Sequence, residues 1–198
     1  MTPTHVRDAT NLTGRILIAM PAMQDPRFTR SVVLVCAHSE EGAMGLILNR
    51  AMPDVSFAEL LEQLEIAPDA ELGPVEVRFG GPVEPARGFV LHLLPEEREE
   101  DDEEDGVLRI GPRLAMTTSR DILVDIAQGD GPEAAVLALG YAGWGPGQLE
   151  DEMAANGWLT GESGDELIFA PADSPKWDIA LKAQGIDPST LSTMSGRA

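Results

Sequence analysis

The chain is short of several residue types, and each shortage excludes something. It has one cysteine, Cys36, so no disulfide can form within it, and a lone thiol suits a reducing compartment. Its three histidines, His5, His38 and His92, come with no HExxH pattern and no paired-cysteine spacing. Zinc centres need such sets, so neither a metal nor a cofactor is expected. Bases are scarce: 14 lysines and arginines face 34 acids, a formal net charge of -20. Nucleic-acid phosphates and anionic membranes both require basic patches, so neither is an expected partner. No apolar run approaches the roughly 20 residues of a membrane helix. Met1–Leu12 lacks the apolar stretch of a secretion signal. The expectation is an acidic protein of the cytoplasm.

What is present is enough for a core, since 43% of the 198 residues are hydrophobic. The most informative stretch is Gly140–Glu150. Gly140, Gly143, Gly145 and Gly147 punctuate it, and Tyr141 and Trp144 sit among them. Such a stretch either turns sharply or lies close against another part of the backbone. An apolar run, Ala134–Leu139, feeds into it, and an acidic helical pattern, Gln148–Ala155, leaves it. Strand, glycines and helix together have the outline of a phosphate loop. Glu150, Asp151 and Glu152 in the first turn would repel a phosphate, and neither GxGxxG nor GxxxxGK[ST] is present. Gly143 and Gly145 are therefore expected to serve packing.

Taken in order, residues 1–11 are polar and expected to be flexible. Ile16–Ala19 reads as a strand ended by Pro21. Ser31–His38 and Ala43–Asn49 read as a hairpin around Ser39–Gly42. Ser56 and Glu59 have capping-box spacing, and Phe57, Leu60, Leu61 and Leu64 follow at helical intervals. Val75–Phe79, Gly88–Leu94, Val107–Ile110 and Leu114–Thr117 read as strands. Residues 96–105 hold nine acids and one arginine, which leaves nothing to bury, so a disordered loop is expected. A helix runs from Thr118 or Ser119 to Gln128, with Gly129 as its stop. Glu166–Phe169 reads as a strand, and a helix follows Ser174-Pro175. Asp187-Pro188 can cap one further turn. Helices and strands mix without strict alternation, which favours an α+β fold or a mixed sheet in one domain from Leu12 onward.

Few residues offer chemistry. Cys36 and His38, two apart on one strand, should share a face, as a nucleophile and its base would. Their neighbours on that face are Val32 and Leu34, so a buried core cysteine is the better reading. His92 alternates with Val90 and Leu94 and reads as a partly buried histidine. Arg27, Arg30, Asn49, Arg50, Arg78 and Arg87 fall near strand ends or near Gly80-Gly81, where a few could hold a small anion. Ordinary ion pairs with the many acids are the plainer reading.

Several runs together resemble one bacterial family, the YqgE/AlgH proteins. They are Gly14–Pro21, Asp25–Phe28, Arg30–Val35, His38, Gly42–Arg50, Phe79–Val83, Arg87–His92, Gly140–Trp144, Gly147–Glu150 and Asn156–Leu159. The resemblance implies a strongly bent mixed β-sheet, a pseudo-barrel flanked by helices. It carries no established catalytic residue. Members are often described as transcriptional regulators, and one of the family's names refers to alginate control. The candidate ligand-binding residues are then Arg27, Asn49, Arg50, Gly80, Gly81, Arg87, His92, Tyr141, Trp144 and Gln148. The preferred reading is a regulator that binds a small molecule or a protein without catalysis. A hydrolase-like enzyme using His92 or Cys36/His38 is the second reading. An indirect transcriptional regulator that does not touch DNA is the third.

Overall fold

The computed structural model describes residues 11–69, 71–95 and 106–191. The acidic run at 96–105 and all but the last residue of the expected flexible segment 1–11 lie outside them. The elements, in order, are β1 (Arg15–Ala19), β2 (Val32–Ser39), β3 (Gly42–Ile47), α1 (Phe57–Gln63), β4 (Glu76–Phe79) and β5 (Val83–Leu93). Then come β6 (Val107–Arg109), β7 (Leu114–Thr117), α2 (Asp121–Gln128), β8 (Ala135–Trp144) and α3 (Gln148–Ala154). The last are β9 (Trp158–Glu162), α4 (Asp165–Phe169), α5 (Lys176–Ala183) and α6 (Pro188–Leu191).

One sheet runs β6-β7-β5-β8-β3-β2-β1-β9. Every pairing along it is antiparallel, and β4 adds in parallel to β8, which makes the sheet mixed. It curls into a half-barrel flanked by helices, an α+β single domain as the resemblance implied. Strand β8 is where it bends. Residues Ala135–Leu139 pair with β5, and Val136–Leu139 with β4, whereas Ala142–Trp144 pair with β3. Between the two halves stands Gly140, at φ +73°. A Cβ there would lie 2.3 Å from the Gly81 carbonyl oxygen, and one on Gly81 would lie 2.0 Å from the Tyr141 carbonyl carbon. Only glycine permits this crossing. The glycine-rich stretch is thus a strand passing close to another strand, and the turn comes later, at Gly145–Gly147.

The curl divides the core. The inner face gathers Ile16, Leu34, Leu46, Leu91, Met116 and Ala138, closed over by Ile168, Trp177 and Leu181 of α4 and α5. One outer face packs Leu17, Val33, Val35, Ile47 and Trp144 under Leu149 of α3. The other packs Val77, Val90 and Leu137 under α1 and α2. Each fully buried leucine, isoleucine or valine contributes about 1.5–3 kcal/mol. Helix α1 starts at a capping box: the Glu59 amide donates to Ser56 Oγ at 3.2 Å, and the Ser56 amide donates to Glu59 Oε2 at 3.0 Å.

Two local expectations change. Glu166–Phe169 is helical, not a strand. The Leu167 and Ile168 amides both donate to the Gly164 carbonyl, and the strand comes just before, where Trp158–Glu162 pairs in full register with β1. Tertiary pairing overrode the apolar pattern of Glu166–Phe169. Cys36 and His38 do not share a face. The β2–β3 register jumps from Val35↔Gly45 to Ala37↔Met44, which leaves Cys36 as the extra residue of a bulge. Cys36 stays with the inner core, whereas His38, opposite Ala43, turns to the α3 side.

Candidate functional site

The inner core does not reach both ends of the half-barrel. At one end it opens into a cleft of about 890 Å3. Met44 from β3, Phe89 from β5, Met116 from β7 and Tyr141 from β8 belong to or pack against the inner core and continue into the cleft as its floor. One wall is Gly106–Leu108 at the start of β6, and the other is the β2–β3 hairpin from Ala37 to Met44. Leu108 and Val83, two of the few large apolar side chains left exposed, stand on the rim. The Phe89 and Tyr141 rings meet edge to face at 5.7 Å. Thr117 Oγ1 donates to the Gly106 carbonyl at 2.8 Å and holds that wall in place.

The polar side chains on the walls include His38, Ser39, Glu41, Arg87, Thr117 and Thr118. The Arg87 guanidinium lies over the Phe89 ring, 5.3 Å from its centroid, and pairs with Glu84 at 3.2 Å. Both partners are about half exposed, so the pair is screened. His38 is part of the hairpin wall. Its Nδ1 accepts from the Leu12 amide at 3.2 Å, which leaves Nε2–H to donate to Glu150 at 2.7 Å. Glu150 is held below the usual carboxylate range, first by a backbone amide and then by this histidine.

Trp144 separates the cleft from a smaller groove of about 460 Å3, lined by Arg27, Phe28, Gln148 and Glu152 among others. Glu152 organises this wall. Its Oε2 accepts from the indole N–H of Trp144 at 3.0 Å and of Trp158 at 2.7 Å, and its Oε1 accepts from Gln148 at 2.9 Å. Gln148 Oε1 in turn accepts from the Gly145 amide at 3.0 Å. In α3, Glu152 therefore fixes two aromatic rings and Gln148 the preceding turn.

The sequence-derived candidates separate on this geometry. The cleft brings together His38, Arg87, Tyr141 and Trp144, and the smaller groove joins Arg27, Trp144 and Gln148. In the groove, Arg27 is bound to Asp25 at 2.7 Å. The others lie elsewhere. Arg30 lies over the Trp177 ring at 4.4 Å. Asn49 accepts from the Val32 amide and donates to the Arg30 carbonyl, both at 2.8 Å, and Arg50 donates to the Thr29 carbonyl at 2.8 Å. These bonds tie the 25–31 loop to the end of β3. Gly80 and Gly81 serve the strand crossing. His92 is buried and projects from β5 away from the cleft, on the same face as Val90. Cys36 is fully buried, and burial pushes its thiol up to about 12, so it is protonated at neutral pH and out of a substrate's reach.

Two buried cations were not among the candidates as a unit. Arg78 is fully buried, with Glu76 at 2.8 Å and the Ile168 and Ala170 carbonyls each at 2.7 Å. Lys176 is buried beside it and donates to the carbonyls of Leu167, Ile168 and Ala170. Both cap the C-terminal end of α4, where unpaired carbonyls gather. Nothing in local spacing joins residues 78 and 176, so only the fold reveals the pair. Met44, Phe89 and Met116 were also missed as cleft residues, because apolar residues on strands read as core.

A curled mixed sheet with an apolar cleft at one open end defines an α+β half-barrel protein. A family model described as AlgH-like matches residues 16–189, and the chain belongs to that family. A UPF0301 protein of Paracoccus denitrificans is 58% identical over 190 residues, covering 96% of this chain and 98% of its own. One from Jannaschia is 50% identical over 188 residues, covering 95% and 96%. The solution structure of the AlgH protein from Pseudomonas aeruginosa superposes with a TM-score of 0.73 at 39% identity, covering 96% of this chain and 98% of that one. A crystal structure of a Corynebacterium diphtheriae protein, 23% identical, shares the fold with a TM-score of 0.71 over 94% of this chain and 92% of that one.

Proposed function

We propose that the protein is a regulator of the cytosol that acts by binding, without a catalytic step, and that the open cleft is where it binds. The carrying observation is the cleft's composition. Its floor is Met44, Phe89, Met116 and Tyr141, with Leu108 and Val83 exposed at the rim and one arginine already paired. Binding sites are concave, mostly apolar and edged by a few polar groups. Methionines add surfaces that adapt to more than one shape. The lining supplies no assembled pair of nucleophile and base: Cys36 is sealed in the core and His38 is committed to Leu12 and Glu150. Effects on transcription would pass through a partner, since a net charge of -20 opposes contact with DNA.

The neutral solvatochromic probe prodan tests the cleft. Saturable binding with a blue-shifted emission is expected. Met44→Arg should weaken it by at least about tenfold while far-UV circular dichroism stays unchanged. Binding that is absent, or that Met44→Arg leaves intact, contradicts the reading.

A further inference from the structure

The cleft has a wall of unpaired backbone. Strand β5 is 11 residues long, but β7, its neighbour on one side, has 4. The β5–β7 register covers Val90↔Thr117 to Leu93↔Leu114 and stops there. The chain then leaves the sheet at Thr118 for α2. On that edge, the stretch Val83–Phe89 has no strand partner among the described residues; on its other edge Val83, Gly88 and Phe89 pair with β8, and residues 84–87 bulge between them. Val83, Arg87 and Phe89 line the cleft, as do Thr117 and Thr118 where β7 ends. The cleft therefore lies in the line that β7 would occupy if it were longer.

An unpaired strand edge is a template for another strand. The start of this one is blocked: Glu84 has φ +46° and Pro85 has no N–H to give. Ala86–Phe89 remains open. Resting on the reading that the cleft is a binding site, we propose that its occupant is a short extended segment of a partner protein, added as a strand antiparallel to β5 at Ala86–Phe89. Alternate side chains of that segment would point inward, onto Phe89, Met116, Met44 and Tyr141, and so would be apolar. The outward ones would face a strongly acidic molecule. Glu41 lines the cleft, its Arg87 is already paired with Glu84, and the chain as a whole carries -20. Charge complementarity therefore selects lysine or arginine at the outward positions. The partner's segment alternates apolar and basic residues, and backbone hydrogen bonds to β5 give it direction.

Three peptides test this by fluorescence anisotropy: Lys-Val-Lys-Val-Lys-Val-Lys, the same sequence N-methylated at every residue so that neither edge keeps its donors, and the version with glutamate for lysine. The first should bind and slow amide hydrogen exchange at Ala86–Phe89. N-methylation keeps the side chains but removes strand hydrogen bonds, and should weaken binding by at least about tenfold. The glutamate peptide should bind still more weakly, and the difference should shrink as salt rises. If the N-methylated or the glutamate peptide binds as well as the first, strand addition or charge selection is overturned. If no peptide binds while prodan does, the strand proposal fails and the cleft remains a binding site. If neither binds, both readings fall.

Discussion

At the scale of single residues, the fold rests on polar groups placed where apolar ones would be simpler. Glu152 holds two indoles with one oxygen, which fixes the orientation of Trp144 between the cleft and the groove. Lys176 is the more consequential case. Three carbonyls lie within hydrogen-bond reach of its Nζ, and an ammonium can donate to all three but a neutral amine to only two. Burial, and then the nearby Arg78 charge, push it down to about 7 from the ordinary 10.5. Between those values the unfolded chain holds a proton that the folded one has lost. Stability from this group is therefore lowest below pH 7 and rises with pH, at most by about 1.4 kcal/mol per unit. Chemical denaturation from pH 7 to 10 should show wild type gaining on Lys176→Met along this slope. A constant difference would mean that the folded protein keeps the ammonium charged.

At the scale of elements, the crossing of β8 over Gly80-Gly81 sets the curl, and with it the cleft. Glycine is required at Gly140 and Gly81 by positive φ and backbone contact. It is not required at Gly143, where an added Cβ would meet side chains, the Tyr141 ring at 3.3 Å and Val83 Cγ2 at 3.8 Å, without a positive φ. Gly140→Val should cost about 2–6 kcal/mol, from strain plus overpacking. Gly143→Val should cost less than about 1 kcal/mol, because the ring can shift and valine suits a strand. Thermal unfolding of both variants checks the ranking, and equal losses would contradict it. The sequence pattern pointed to this stretch as the organising one, but it singled out Gly143 and Gly145, since nothing local tells a glycine at positive φ from one in an extended strand. The Cys36 bulge was hidden for a similar reason. Val32–Ala37 is apolar on both faces, so nothing in sequence marks a bulge, and only pairing with β3 shows that His38 has changed faces.

At the scale of the whole molecule, most strands and helices were legible, because periodicity, capping residues and Gly-Pro punctuation report local structure directly. The sheet order was not, and the cleft is a consequence of that order. Met44, Phe89, Met116 and Tyr141 come from four strands and meet only when the sheet curls. Arg87 was legible as a scarce base, and Tyr141 and Trp144 as aromatics among glycines. Asn49 and Arg50 looked alike in kind but fasten the 25–31 loop. Charge acts at this scale too: under the proposed reading, an acidic body with an apolar opening would favour apolar and cationic partners over nucleic acid. The most direct measurement of the central claim is a backbone amide shift map of the protein titrated with prodan. The account predicts shifts concentrated at Met44, Phe89, Leu108, Met116 and Tyr141, with little change around His92, Arg50 and Lys176. Shifts centred on any of those last three, with the cleft amides unmoved, would contradict it.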